Sequence, residues 1–378
     1  MLAHANYSLR DLLTYFLKLG TIGFGGPVAL VGYMHRDLVE QRKWINEEEY
    51  KEGMALAQLA PGPLAAQLSI YIGYVHHGLR GATLTGLAFV LPSFIMVLGI
   101  SLAYVAYGGL PWMQGMFYGV GAAVIGIIAI GAWKLSKKTL GNDFFKWIIF
   151  LVLAVSTWYT GQEVLWLMLL LAAGFMLLKA RPKRIGAGAI APLPFLVASG
   201  VTTGSQLGSI AWFFTKAGAF VFGSGLAIVP FLHGGVVQEH GWLTEQQFLD
   251  AVAVAMITPG PVVITVAFIG FLVAGFWGAC VAAIATFLPC WAFTVLPAPY
   301  FKKYGKLPSI KAFVDGITAA ACGAIAGAVV VLGSRSLIDL PTWSIAIATV
   351  AVLLYVKKVK EPLVILVAAL LGLALRGF

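Results

Sequence analysis

Leu56-Ala57-Gln58-Leu59-Ala60-Pro61-Gly62-Pro63-Leu64-Ala65-Ala66-Gln67 lies inside a long apolar run, and 198 residues later Val254-Ala255-Met256-Ile257-Thr258-Pro259-Gly260-Pro261-Val262-Val263-Ile264-Thr265 does the same. Proline removes a backbone donor and breaks a helical ladder. Irregular backbone at membrane depth is tolerated only where protein or a water-filled cavity surrounds it. Two apolar runs interrupted in the same way therefore point to one membrane architecture used twice.

Outward from this motif the correspondence continues. Phe16-Leu17-Lys18-Leu19-Gly20 aligns with Phe214-Thr215-Lys216-Ala217-Gly218, Phe24-Gly25 with Phe222-Gly223, Trp44 with Trp242 and Glu47 with Glu245. After one deletion Gly73 aligns with Gly270, Gly81-Ala82 with Gly278-Ala279, Leu91-Pro92 with Leu288-Pro289, and Gly119 and Gly126 with Gly316 and Gly323. Chance matching of apolar residues does not keep Pro-Gly-Pro, lysine and tryptophan in order. The expected organisation is an N-terminal repeat over 1–180, a basic linker over 181–205 with Arg181, Lys183 and Arg184, and a C-terminal repeat over 206–378.

The composition agrees. Of 378 residues 60% are hydrophobic and 11% charged, against about 25% charged in a soluble domain. A spanning helix needs roughly 20 apolar residues. Apolar segments cover Leu12–Met34, Gly53–Val75, Ala82–Tyr107, Met113–Trp133, Trp147–Tyr159 and Val164–Leu178, then Ile210–Leu232, Leu249–Ala274, Ala279–Pro297, Ala312–Leu332, Trp343–Val356 and Leu363–Leu375. The fold class is an all-α polytopic membrane protein in contact with lipid, with five to six segments per repeat. The formal charge of +10 reads as topology, since cytoplasmic loops concentrate Lys and Arg, and not as a nucleic-acid surface. Cys280, Cys290 and Cys322 lie in apolar segments and read as packing residues, not a metal set.

The basic loops are Lys134–Lys146 and Lys179–Arg184 in one half, Lys302–Lys311 and Lys357–Lys360 in the other. They are displaced by one segment between the halves. If all four face the cytoplasm, the repeats are inverted. Inversion needs either a re-entrant first segment, broken at Gly23-Phe24-Gly25-Gly26-Pro27 and Gly223-Ser224-Gly225, or an extra crossing at Ile190–Val201. The broken-helix solution is preferred. Small residues on many helix faces permit a homodimer without demanding one.

Such breaks create half-helix N-termini, whose free N–H groups and dipole favour anions. The candidate substrate site is Lys18, Gly25, Gly26, Pro27, Gln58, Pro61, Gly62, Pro63, Gln67, Lys216, Gly223, Gly225, Pro259, Gly260 and Pro261. A lysine within a membrane segment costs about 2.5–3.5 kcal/mol on insertion scales, which a bound anion offsets. The alternative for Lys18 is snorkelling of its stem to the interface. For the glutamines, whose second-half equivalents are Met256 and Thr265, the alternative is a bond to a neighbouring helix. Arg36, Arg42 and Trp44 form a candidate electropositive vestibule, or an interfacial helix. Asp315 reads as a helix-end residue before a proton relay. No zinc, serine-elbow or phosphate-loop motif is present, so neither an enzyme nor an ATP-driven motor is expected, and no cofactor is required.

Phe24-Gly25-Gly26-Pro27, Met34, Arg42, Trp44, Gln58, Pro61-Gly62-Pro63, Gln67, Gly73, Gly78, Gly81, Phe89 and Leu91-Pro92-Ser93 together resemble the chromate transporter family in its long, two-domain form, over nearly the whole chain. The resemblance implies efflux of chromate across the inner membrane of a bacterium, driven by the proton-motive force and giving chromate resistance. It also implies antiparallel halves. The residues alone say only that the substrate is an oxyanion. Sulfate, a tetrahedral dianion of similar size, is the alternative substrate, and an anion channel or a scaffold without transport are the alternative classes. Loss of the Gly-Gly-Pro triplet and of both glutamines in the second half leads us to expect more substrate contacts from the first.

Overall fold

The computed structural model describes residues 7–24, 26–107, 111–161, 164–180, 206–220, 225, 228–304, 307–356, 359 and 361–376. Among these, every regular element is helical. The first half runs α1 (Leu9–Ile22), α2 (Gly26–Met34, continued by a π-helical turn at His35–Gln41), α3 (Glu47–Leu59), α4 (Leu64–Tyr107), α5 (Pro111–Leu140), α6 (Phe144–Thr160) and α7 (Leu165–Lys179). The second runs α8 (Gln206–Phe220), α9 (Ile228–His233, continued by a π-helical turn at Gly234–Glu239), α10 (Glu245–Ile257), α11 (Thr265–Val295), α12 (Ala298–Tyr304), α13 (Pro308–Ser336), α14 (Leu340–Tyr355) and α15 (Glu361–Arg376). The expected linker over 181–205, including the optional crossing at Ile190–Val201, lies outside the described residues, as do Gly25, Gly223 and Ser224.

Local chemistry sets the boundaries. Ser8, Asn46 and Thr244 each close a reciprocal capping box, with Asp11, Glu49 and Gln247 respectively, which satisfies N–H groups that a helix start leaves open. The breaks fall where the sequence places Pro and Gly. Leu12–Met34 divides between α1 and α2, and Gly53–Val75 divides at Pro61-Gly62-Pro63. Gly62 and Gly260 hold φ of 141° and 96°, a region that side-chain-bearing residues avoid. The long helices α4 and α11 bend at matched glycines: Gly78 has φ 61° and ψ −154°, and Gly275 has φ 62° and ψ −153°.

Four stretches are long and apolar enough to cross a membrane: Leu64–Tyr107, Trp112–Leu140, Val262–Phe301 and Pro308–Ser336. Leu79, Leu87, Leu91, Ile95, Leu102 and Val105 of α4 are each about half exposed, at 47–62%. A row of that size is unfavourable in water and suits a lipid face. The chain is therefore an integral membrane protein of helical type.

The halves interlock. α6 and α7 of the first half cover α13 of the second, and α14 and α15 cover α5. The glycines that correspond in sequence sit at these crossings. A Cβ on Gly119 would meet the Ala368 carbonyl of α15, and one on Gly323 would meet the Phe150 carbonyl of α6. Backbones approach this closely only through small residues, the usual device where apolar lipid gives helices no hydrophobic reason to associate. Gly20 and Gly218 do the same against the Phe89 and Thr286 carbonyls, pinning α1 to α4 and α8 to α11.

Candidate functional site

The two interrupted motifs meet partners from the opposite half. The Gly260 N–H donates to the Gly23 carbonyl at 3.0 Å, so the second-half Pro-Gly-Pro tip is bonded to the first-half helix break. Ser93, one residue past Pro92 of α4, donates its hydroxyl to the Pro259 carbonyl at 2.7 Å and lies 3.4 Å from the Gly20 carbonyl. In the first-half tip, Gln67 Nε2 donates to the Pro61 carbonyl at 2.8 Å. Gly62 packs toward Cys290, the second-half counterpart of Ser93: a Cβ there would stand 3.0 Å from Cys290 Sγ. Gly225 packs against Val262 and Val263 at the second tip. Pro61, Gly62, Pro63 and Gln67 thus gather at one short irregular segment, and Pro259, Gly260, Pro261 and Gly225 at a second. Gln67 is fully buried, and its Oε1 has no hydrogen-bond partner. Its amide caps the tip from inside, because a residue in the first turn of a helix points back towards the N-terminus.

Other expected members stand apart. Lys18 is exposed on α1, five residues and about 7.5 Å of helix rise before Gly23. Arg10, Thr14 and Thr21 share its exposed face. Lys216 is half-buried, with its ammonium 5.7 Å from the centre of the Trp212 ring. Neither lysine has an acidic partner among the described residues. Gln58 is exposed near the end of α3, so the two glutamines that flank the first motif do not converge. Gly26 opens α2, and Pro27 follows it in the first turn.

At the start of α3, the Arg42 guanidinium lies 4.5 Å from the Trp44 ring centre and 5.4 Å from Tyr15. Trp44 stacks on Tyr7 at 4.7 Å. Arg36 is paired with Asp37 at 2.9 Å. The vestibule is thus partly neutralised by its own acids. Asp315 pairs with Lys146 at 3.0 Å; it stands in the third turn of α13 and not at the helix end expected of it. A groove of about 550 Å³ between α4 and α11 is lined by Ile70, Leu87, Leu91, Phe94, Ile284 and Leu288. It carries no charge and suits an acyl chain better than an oxyanion. No cluster of three or more metal-ligating side chains occurs among the described residues.

Comparison with known proteins decides the family. The model of the family described as "Chromate transporter" matches residues 10–178 and again 208–373. The chain belongs to the chromate transporter family. It is 65% identical over 375 residues to the chromate transport protein of Cupriavidus metallidurans, covering 97% of this chain and 93% of that one. It is 62% identical to the probable chromate transport protein of Synechococcus elongatus, covering 98% and 96% of the two chains. A more distant relative, an uncharacterized transporter of Methanocaldococcus jannaschii, is 28% identical over 97% of this chain and 94% of its own length. No solved structure matches.

Within this family member the structure adds residues that sequence reasoning left without a role. Ser93 and Cys290 hold equivalent places beside the opposite tips. His35 Nε2 meets Glu47 at 2.8 Å, and His233 Nε2 meets Glu245 at 2.7 Å, with Arg335 also on Glu245. The 198-residue shift aligns both members of these pairs, so that signal was available.

Proposed function

We propose that this chain is a secondary transporter that exports chromate across the inner membrane of a prokaryote, coupled to the proton-motive force, and thereby confers chromate resistance. The observation that carries the mechanism is the joint between Gly23 and the Pro259-Gly260-Pro261 tip, where two non-helical segments from different halves share a hydrogen bond. The junction brings a helix break and a tip together; helix N-termini that open after such breaks have the free backbone donors, and the glycines give the room, that a tetrahedral dianion needs. The substrate comes from the relatives named chromate transport proteins.

The repeats over 1–180 and 206–378 run in opposite directions, with α1–α2 and α8–α9 entering and leaving from one side. The matched kinks and tips support the repetition, and the displaced basic loops support the inversion. In the substrate site we include Gly26, Pro27 and Gly225 at the helix breaks, with Gly25 and Gly223 assigned by sequence alone, and Pro61-Gly62-Pro63 and Pro259-Gly260-Pro261 at the tips. Gln67 fixes the first tip. Lys18, Lys216 and Gln58 lie on the approach to them, as do Arg36, Arg42 and Trp44 at the vestibule.

The deciding experiment measures labelled chromate uptake into inverted vesicles with and without a proton gradient, with sulfate as competitor. Gradient-dependent accumulation is expected; its absence overturns the export reading. Engineered cysteines at Lys138 and Lys303 test the orientation. Labelling from opposite sides of the membrane defeats inversion.

A further inference from the structure

Asp250 is a carboxylate that the substrate site does not use. It sits in the second turn of α10, 2% exposed. Its Oδ2 accepts from the Tyr104 hydroxyl at 2.8 Å, and its Oδ1 accepts from Gln246 Nε2 at 2.8 Å. Gln246 also reaches the Phe117 carbonyl at 3.4 Å. Tyr104 is held edge-on by Phe117 of α5 and Phe268 of α11, at 5.2 and 5.1 Å.

No cation faces this carboxyl among the described residues. Of the other charged groups on the surrounding elements, Arg80 on α4, Lys134, Lys137 and Lys138 on α5, Glu239 before α10 and Lys311 on α13 are exposed, and others are paired with one another. On α13, Arg335 is on Glu245 and Asp315 is on Lys146. On α15, Arg376 is on Asp339, which also takes the Tyr118 hydroxyl of α5. His233, before α10, is on Glu245. α11 carries no Asp, Glu, Lys, Arg or His.

An ion buried without a counter-ion is unfavourable by several kcal/mol, and ionisable residues inside membrane proteins are characteristic of proton pathways. Here both protonation states have a place. The carboxylate accepts from two neutral donors; the acid donates to the Tyr104 oxygen. The position is mechanically connected too. Tyr104 belongs to the first half and Asp250 to the second, and α10 runs straight into the Pro259-Gly260-Pro261 tip. Seven residues of helix, about 10.5 Å of rise, run from Asp250 to the end of α10 at Ile257, two residues before Pro259. Adding or removing one charge at this seam changes how α10 packs on α4 and α5, and so acts on the tip. The equivalent residue in the first half, Glu52, lies beside Tyr71.

We propose that Asp250 is the proton-carrying group of the transport cycle, binding one proton from one side of the membrane and releasing it to the other for each chromate moved. This rests on the transport reading above. The test uses the full-length protein in proteoliposomes and compares wild type, Asp250→Asn and Asp250→Glu. Two quantities are read: chromate accumulation driven by a proton gradient, and chromate–chromate exchange with no gradient. The Asn variant is expected to keep exchange and lose accumulation to the no-gradient background, and the Glu variant to keep both. Accumulation by the Asn variant at the wild-type level overturns the assignment. Loss of exchange together with accumulation also overturns it, since the carboxyl then serves structure or substrate. Wild type that shows neither activity defeats the transport reading itself. Should the Asn variant not fold, Tyr104→Phe decides: removing one donor to the carboxylate moves the pH midpoint of gradient-driven uptake upward if Asp250 carries the proton, and an unmoved midpoint overturns the assignment.

Discussion

Replacing Gly260 by alanine tests the joint between the halves. Gly260 has φ of 96°, and placing a side-chain-bearing residue in so sparsely populated a region costs about 1–3 kcal/mol. A new Cβ would also overlap Ser93 Oγ. The hydroxyl must turn away and give up its 2.7 Å bond to the Pro259 carbonyl, leaving buried polar groups unpaired at about 1–3 kcal/mol. The expected destabilisation is therefore about 2–6 kcal/mol. Gly62→Ala is the internal control. Its φ is 141° and its nearest contacts are Gln67 Nε2 at 2.8 Å and Cys290 Sγ at 3.0 Å; the amide need move by only a few tenths of an ångström and can keep its bond to the Pro61 carbonyl, so the loss should be about 1–2 kcal/mol smaller. Ser93→Ala removes the atom that clashes, so the double variant should recover about 1 kcal/mol relative to additivity. The assay is denaturation in detergent, followed by the fluorescence of the 11 tryptophans. Strict additivity, or a Gly62 variant as unstable as the Gly260 variant, would refute the geometry of the joint.

Four further outcomes follow from the same structure. Lys18→Met and Lys216→Met should each raise the KM for chromate, on the order of 10-fold for loss of a charge-assisted contact; transport kinetics unchanged in both would remove the lysines from the site. Gln67→Leu leaves the buried Pro61 carbonyl without its donor, and should destabilise the fold by about 1–3 kcal/mol while slowing transport. Gly323→Ala presses a methyl group on the Phe150 carbonyl, an overpacking expected to cost about 1–3 kcal/mol and to separate α13 from α6 in a cysteine cross-linking assay. Asp143 caps α6 at the Phe145 N–H and pairs with Lys179 at 2.9 Å. The Lys179 hydrogen bond, with help from the capped backbone, holds its carboxyl below the usual carboxylate range. A depressed folded value means that its contribution is present above the ordinary Asp range and lost as pH falls through the folded value. Asp143→Asn should therefore flatten that acid limb in pH-dependent melting, by less than about 1 kcal/mol because the pair is near the surface.

Much of this arrangement was legible in the sequence because it rests on local covalent facts. Pro61, Gly62 and Pro63 cannot continue a helix, and the same is true 198 residues later. The matched glycines Gly119, Gly126, Gly316 and Gly323 mark the repeat in the sequence, and only the structure shows that they sit at helix crossings. The choice of partners there, each half covering the long helix of the other, is a tertiary outcome with no local signal. Gln58 and Gln67 look equivalent as flanking residues. Helix geometry separates them: one projects outward from the end of α3, and the other folds back over the start of α4. Ser93 read only as the residue after a kinking proline. Its role depends on a contact with residue 259, which no periodicity reports. Asp250 lies inside the apolar segment Leu249–Ala274, and a lone acid there is itself a signal.

The two tips share a backbone shape and differ in how they are fastened. In the second half the fastening comes from outside: Gly23 and Ser93, both first-half residues, hold Pro259 and Gly260. The residue equivalent to Gln67 is Thr265, and its hydroxyl is spent on the Ala251 carbonyl at 2.7 Å, tying α11 to α10 instead of bracing the tip. In the first half the brace is internal, from Gln67 to Pro61. The outside neighbour is Cys290, whose thiol is a weak donor with no hydrogen bond to the tip. A hydroxyl hydrogen bond contributes about 0.5–1.5 kcal/mol, so exchanging serine for cysteine loosens the first tip from its neighbour while glutamine keeps its shape. A tip that is rigid within itself and weakly attached outside can move as a unit; one held by two bonds to the other half moves only when that half moves. The first-half tip is thus the freer of the two, and the second is the one through which a change of charge at Asp250 reaches the opposite half.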